Sequence, residues 1–147
     1  MKEQSKLVRT LIGSWQGAGV GPQGPFEVRA DFEERGRWIL LRHQISPPGV
    51  KEPFYVSTQV FGFDDAELTL DYFDTAGSFH FKGDEIAKGL EFKWTHDEHK
   101  KSSGDLWKVS KYEFDSSTVV RFNYQSGELQ EGGATKVLEF SGELKRK

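Results

Sequence analysis

Cysteine is absent from the 147 residues of this chain. Disulfide bonds, thiol nucleophiles and cysteine metal sites are therefore excluded, and stability must come from packing and backbone hydrogen bonds. A sequence without cysteine fits a reducing compartment, so we expect a cytoplasmic protein.

Long apolar runs and an excess of one charge are also lacking. Residues 2–6 are polar, and no apolar run is long enough for a secretory signal or a membrane span. The 20 basic and 23 acidic residues leave a formal charge of −3 and are spread along the chain without blocks. We therefore predict no nucleic acid and no membrane as partners.

Helical periodicity is nearly missing as well. Only residues 2–12 place apolar side chains on one helical face, and Gly13 follows where a C-terminal cap is expected. The sequence is instead rich in aromatic residues, at 14 %, with twelve phenylalanines that alternate with polar neighbours. Because this alternation is typical of half-buried β-strands, we predict a single all-β domain over residues 1–147 with a short N-terminal helix.

Glycine is concentrated around Trp15, in the stretch 13–21. Glycine weakens a strand, so its repetition indicates a backbone that bends sharply or is approached closely. Gly17 and Gly19 share a face with Trp15 because side chains alternate along a strand. We interpret this stretch as the first strand of a barrel, in which Trp15 is an apolar plug with open space beside it.

Short alternating segments separated by glycine, proline, aspartate or serine turns continue to the end of the chain. Even spacing without an interposed helix indicates antiparallel neighbours, and such a meander removes its edges by closing on itself. The sequence predicts a closed ten-stranded antiparallel up-and-down barrel with strands at 13–21, 26–32, 37–46, 54–63, 68–73, 78–86, 90–94, 106–114, 119–125 and 138–144.

Several motifs resemble known families. The pattern Gly-x-Trp-x-Gly-x-Gly at 13–19, directly after a short helix, resembles the opening of the lipocalin-like (calycin) superfamily, and its doubled glycine is more distantly similar to the nitrobindins. Segments 36–40, 61–64 and 72–77 resemble, in order and approximate spacing, a bacterial lipocalin-like family that is called a domain of unknown function. The resemblance covers nearly the whole chain and implies a fold, not an activity.

Two features of this sequence differ from the barrel families that it resembles. The nitrobindins hold haem through a histidine in a late strand, whereas the histidines here are His43, His80, His96 and His99. We therefore predict no cofactor, and in particular no haem held through a late-strand histidine. Fatty-acid-binding proteins, which are also ten-stranded, place a helix pair between the first two strands, where this chain has only the turn at 21–25.

Two-residue turns predict which side chains face each other across neighbouring strands. A turn at residues 75–76 pairs Tyr72 with Phe79 inside the barrel and Asp71 with His80 outside it. An exposed ion pair of this kind contributes about 0–1 kcal/mol and needs no functional explanation.

A second such turn at residues 65–66 places Gln59 opposite Tyr72 on the inward face that also carries Phe61. Buried polar groups cost about 1–3 kcal/mol unless they are satisfied, so Gln59, Tyr72 and His43 among apolar neighbours imply partners, water or a ligand. The alternative is that strand ends place these three side chains in solvent.

A third turn, centred on residues 116–117, pairs Tyr112 with Arg121 and leaves two interpretations. If their face is inward, the two resemble the carboxylate anchor of fatty-acid-binding proteins. If it is outward, Arg121 is solvated and an alternating apolar or aromatic set fills the lumen: Val120, Phe122 and Tyr124. This alternating set favours the second interpretation.

No catalytic or metal site is predicted. His96 and His99 flank two carboxylates, but their spacing suits neither a helical pair nor one face of a strand, so a solvated turn is the interpretation. The sequence has no Gly-x-Ser-x-Gly elbow, and the glycines at 17–21 precede a turn instead of a phosphate-binding helix.

The sequence therefore predicts that the lumen binds a small apolar or amphipathic molecule without covalent chemistry. Aromatic side chains form the predicted wall, and polar ones orient the ligand by hydrogen bonds. The candidate ligand-binding residues are Trp15, His43, Gln59, Phe61, Tyr72 and Trp94.

Two other classes of function remain open. A small hydrolase or isomerase would use a lumen histidine such as His43 as a general base, or the His96 loop as a metal site, and needs a positioned partner for its base. A packed barrel would instead serve as an interaction module or form a homodimer through apolar residues on its outside, namely Trp38, Val56 and Val60.

Overall fold

The computed structural model describes residues 3–64, 67–75, 77–95, 104–130 and 132–147. Within these ranges a helix, α1 (Glu3–Arg9), precedes ten strands. The strands are β1 (Gly13–Gly21), β2 (Gly24–Arg35), β3 (Trp38–Ser46), β4 (Tyr55–Asp64), β5 (Glu67–Asp74), β6 (Gly77–Ile86), β7 (Gly89–Thr95), β8 (Gly104–Phe114), β9 (Val119–Leu129) and β10 (Thr135–Arg146).

Each strand pairs antiparallel with its neighbours along the chain, and β1 pairs with β10 to close the barrel. The predicted closed ten-stranded antiparallel barrel with a short N-terminal helix is confirmed. The helix ends earlier than residue 12, because the backbone after Arg9 continues in tighter turns such as the bond from the Leu11 N–H to the Val8 carbonyl, at 3.0 Å. Among the described residues, no helix has the length and apolar character needed to cross a membrane.

The glycines of β1 allow β10 to close the barrel. A Cβ atom at Gly17 would lie 1.7 Å from the carbonyl oxygen of Glu143, and one at Gly19 would lie 2.2 Å from that of Ser141. The backbone of β10 therefore occupies the place of two side chains, and the close approach predicted for the glycine stretch is present. The predicted open space beside Trp15 is wrong, because the neighbouring strand fills it.

The end of the barrel where β1 begins is covered by α1. Val8 of α1 and Leu11, two residues after the helix, are buried. The indole Nε1 of Trp15 donates a hydrogen bond to the Leu11 carbonyl at 2.8 Å. The Arg146 guanidinium lies over the Trp15 ring at 4.3 Å and donates to the Ile12 carbonyl at 2.8 Å. The last strand thus holds the helical segment against the barrel, and this end is packed with protein.

Aromatic side chains fill the interior near the covered end. The ring of Phe61 is fully buried, with centroids 6.0 Å from Phe32, 5.4 Å from Phe92 and 6.2 Å from Tyr112. Edge-to-face aromatic pairs contribute about 0.5–1.5 kcal/mol beyond their burial. This half of the barrel is a packed core.

The strand registers predicted from the first two turns are confirmed. Tyr72 pairs with Phe79 and Asp71 with His80, and the His80 Nδ1 lies 2.6 Å from the Asp71 Oδ1 on the outside of the barrel. Gln59 pairs with Tyr72 as predicted. The predicted inward and outward faces of β4, β5 and β6 are therefore correct.

The register predicted from the third turn is wrong by one residue. Tyr112 pairs with Phe122 instead of Arg121, and Glu113 takes the place opposite Arg121. The connection is longer than the two-residue turn, because the Val119 carbonyl accepts from the N–H groups of both Asp115 and Ser116, at 3.0 and 3.2 Å.

Candidate functional site

The barrel end opposite α1, where β3, β5, β7 and β9 end, contains a cavity of about 280 Å³. Aromatic rings make up much of its wall, and several of them carry a hydroxyl group or a ring nitrogen that can form hydrogen bonds. The lining includes His43, Tyr55, Tyr72, Phe81, Tyr124 and Phe140. The interior is therefore divided into a packed half and an open half, which alternation along the strands did not distinguish.

His43 is the most unusual group in this wall. Its side chain, from the middle of β3, is 1 % exposed, and neither ring nitrogen has a hydrogen-bond partner among the described residues. Aromatic rings surround it edge-on, with centroids 5.5 Å away at Tyr124 and 6.5 Å away at both Tyr55 and Phe122. Burial lowers the pKa of His43 to about 4, so the imidazole is neutral at pH 7.

A second polar pair lies on the neighbouring strand β4. Ser57, directly opposite His43, accepts a hydrogen bond at 3.2 Å from the Gln59 Nε2. The Gln59 Oε1 is buried and has no partner among the described residues. Gln59 does not line the cavity, so this buried acceptor lies in the packed interior with its hydrogen-bonding capacity unused by the described residues.

Tyrosine hydroxyls supply further polar atoms in the wall and in the core behind it. The hydroxyls of Tyr112 and Tyr124 are hydrogen-bonded to each other at 2.9 Å. Burial is the main reason that the pKa values of Tyr72, Tyr112 and Tyr124 lie well above their usual range. All three phenols therefore stay protonated and neutral, and one of the two hydroxyl protons of Tyr112 and Tyr124 is used in their mutual hydrogen bond.

Charged side chains are found nearer the mouth of the cavity. The Tyr55 hydroxyl donates to the Asp74 Oδ2 at 2.9 Å, and the Lys108 ammonium lies 4.6 Å from the centre of the Phe79 ring. Phe79 also packs edge-on against Trp94, with centroids 5.0 Å apart. The mouth thus combines an aromatic wall with groups of both charges.

The predicted site residues fall into different parts of the barrel. His43 and Tyr72 line the cavity, whereas Gln59 is buried, does not line the cavity and donates a hydrogen bond to Ser57. Trp94 does not line the cavity either and is half-buried against Phe79. The two remaining predicted residues, Trp15 and Phe61, lie in the packed half.

Sequence reasoning missed Tyr55 and Ser110 as lining residues. The favoured interpretation does place Tyr124 in the lumen, because its alternation with Val120 and Phe122 is a readable signal, although Tyr124 is not among the candidate ligand-binding residues. Tyr55 and Ser110 have no such signal, because a single polar residue near a strand end does not indicate which rings surround it.

Arg121 lies on the outer surface, as the favoured interpretation expected. Its guanidinium forms ion pairs with Asp115 and Glu113, both at 2.9 Å, and hydrogen bonding to Asp115 is the main cause that raises its pKa. The face that contains Tyr112 is inward all the same, because the register differs from the predicted one. The interpretation in which Arg121 and Tyr112 together form a carboxylate anchor is therefore wrong.

Replacing Arg121 by glutamine is expected to leave the affinity of any lumen ligand unchanged, because the guanidinium is outside the barrel. The measurement is a titration of wild type and Arg121→Gln with the same apolar fluorescent probe. A marked loss of affinity in the variant would contradict the position of the Arg121 side chain outside the barrel.

The histidines that the sequence offered as metal ligands are not part of this cavity. His96 and His99 lie outside the described residues, and within the described ranges no three histidine, aspartate or glutamate side chains are grouped to hold a metal ion. His80 is exposed and paired with Asp71. The outer wall also has two shallow concavities of about 620 and 630 Å³, lined largely by exposed polar and charged residues.

Comparison with known proteins supports the fold alone. No family model matches the chain, and no curated protein matches it. Among solved structures, Rv2717c from M. tuberculosis is similar over 100 % of this chain and 99 % of its own, with 15 % identity and a TM-score of 0.72. The structure of EF1p2_mFAP2b bound to DFHBI matches over 99 % and 100 % with 13 % identity and a TM-score of 0.48. The similarity to Rv2717c extends over the whole barrel and therefore supports the fold of this chain.

Proposed function

We propose that this barrel binds a small, largely apolar molecule in the open half of its lumen. The observation that carries the proposal is His43, a fully buried imidazole that faces a cavity and has no protein partner for either nitrogen among the described residues. A buried polar group without a partner costs about 1–3 kcal/mol, so a water or ligand that satisfies it is favoured.

The lining suits such a ligand. Ligand sites are concave and mostly apolar, with few polar groups that set orientation. Here Phe81 and Phe140 supply apolar surface, while His43, Tyr72 and Tyr124 supply ring faces together with hydrogen-bonding atoms. At about 280 Å³ the cavity favours a compact molecule of one to a few rings over a long chain.

Catalysis by His43 is supported less well. A general base must be oriented by a partner and must reach the proton that it removes. Neither nitrogen of His43 is held by a described side chain, and the low pKa of about 4 makes it a weak base. The homodimer or interaction module stays a prediction, although Trp38 and Val56 do lie outside, 48 % and 49 % exposed.

The proposal is tested by filling the cavity. Ser110 is buried and lines it, so Ser110→Trp places an indole in the ligand's volume, whereas Lys111→Trp adds the same bulk on the outer face of β8. Titration with the neutral, environment-sensitive probe N-phenyl-1-naphthylamine is expected to show binding to wild type and Lys111→Trp and at least about tenfold weaker binding to Ser110→Trp.

Circular dichroism and thermal melts confirm that the variants compared are folded. If the wild type binds neither this probe nor any component of a lipid extract below about millimolar concentration, the binding function is wrong. Equal affinity in Ser110→Trp and Lys111→Trp would place the bound probe on the outer surface instead.

A further inference from the structure

The inner part of the cavity is polar but carries no charge at pH 7. The His43 imidazole is neutral because burial lowers its pKa to about 4, and the phenols of Tyr72 and Tyr124 stay protonated. A neutral imidazole offers one N–H donor and one acceptor nitrogen. At His43 the inner side therefore has one acceptor and one donor unused by described protein groups.

The charged residues that line the cavity belong to the strand ends at its mouth. Asp74 accepts a hydrogen bond from Tyr55, Lys108 lies over the ring of Phe79, and Glu128 is near the end of β9. A carboxylate carried to the inner side would lose its hydration without meeting a cation, which is strongly unfavourable.

The reverse orientation does not help a carboxylate ligand. Its anionic group would then share the mouth with Lys108 but also with Asp74 and Glu128, so the lining formed by the described residues is acidic by one charge. Its apolar tail would meet His43 and leave it unsatisfied. Both orientations therefore favour a ligand without negative charge.

We propose that the site selects an uncharged aromatic ligand whose inner end carries a hydroxyl group, as in a phenol or an aromatic alcohol. A hydroxyl both donates and accepts, which matches the donor and the acceptor nitrogen of His43. The rings of Tyr55, Phe81 and Tyr124 provide flat apolar surface for the aromatic part. This inference rests on the proposed binding function and specifies the chemistry of its ligand.

Three bicyclic probes of similar shape test the inference at pH 7 by isothermal titration calorimetry. Naphthalene has no polar group, 2-naphthol has a neutral hydroxyl and 2-naphthoate has a carboxylate. We expect 2-naphthol to bind at least about tenfold more tightly than each of the other two. A smaller difference against either probe overturns the inference.

Two variants test whether His43 is the group responsible for the preference for a hydroxyl. His43→Leu is expected to reduce the advantage of 2-naphthol over naphthalene at least about threefold while naphthalene binding is kept, whereas the matched Gln44→Leu on the outer face of β3 keeps the full advantage. An undiminished advantage in His43→Leu overturns the inference. If His43→Leu does not fold, the comparison of the three probes with the wild type still decides it.

The outcomes separate the two proposals. Binding of naphthalene or 2-naphthoate as tightly as 2-naphthol would leave a binding barrel and remove only its selectivity. Absence of binding by all three, together with no binding of N-phenyl-1-naphthylamine, would overturn the binding function itself and the inference with it.

Discussion

Gly17→Ala is expected to cost the barrel about 3 kcal/mol or more, because the added methyl group has no place to go. Its Cβ would lie 1.7 Å from the oxygen and 2.8 Å from the carbon of the Glu143 carbonyl, which belong to the backbone of a paired strand. A flexible side chain could move away, but here the seam between β1 and β10 would have to open. Typical domains are stable by only about 5–15 kcal/mol, so the loss is a large fraction of the total.

Urea unfolding followed by tryptophan fluorescence measures this loss. Gln16→Ala is the matched control, since the neighbouring side chain is exposed on the outer face of the same strand. Replacing glycine by alanine also stabilises by about 0.4–1 kcal/mol through the unfolded state, so the measured loss is a lower bound for the clash. Equal stabilities of the two variants would contradict the close approach at the seam.

Acid is expected to remove about 3 kcal/mol of stability through His43 alone. Its pKa is about 4 in the folded barrel and about 6.5 in the unfolded chain, and each pH unit between the two corresponds to about 1.4 kcal/mol. Between these values the unfolded state binds the proton and the folded state does not, so stability falls as the pH falls. The contribution is complete near pH 7 and almost entirely lost at pH 4.

Unfolding free energies at pH 7 and pH 4 for wild type and His43→Leu isolate this effect from the titration of carboxylates. The difference in stability between the two proteins should change by about 3 kcal/mol in favour of the variant on acidification. Gln44→Leu, on the opposite face of β3, should follow the wild type. A parallel decline of wild type and His43→Leu would contradict the buried, unpartnered imidazole.

The sequence by itself determined the architecture. Alternation with a period of two and short turns between the alternating segments are local properties, and they are enough to predict ten antiparallel strands and their closure. The same local rules placed Asp71 and His80 outside and Gln59 opposite Tyr72, since a tight turn defines a register without knowledge of the rest of the fold. The connection after Phe114 shows where this logic ends, because it is a wider turn in which the Val119 carbonyl accepts from the N–H groups of both Asp115 and Ser116.

The tertiary structure alone decided which half of the lumen is filled. Trp15 and Phe61 alternate with polar neighbours just as Tyr72 does, yet the first two are packed under α1 and among other rings while the third lines a cavity. The isolation of His43 among the rings of Tyr55, Phe122 and Tyr124 likewise arises because β3 and β4 face β9, which is far from both in the sequence. Alternation encodes only which face of a strand is buried, whereas the space beside a side chain depends on how the closed barrel brings distant strands together.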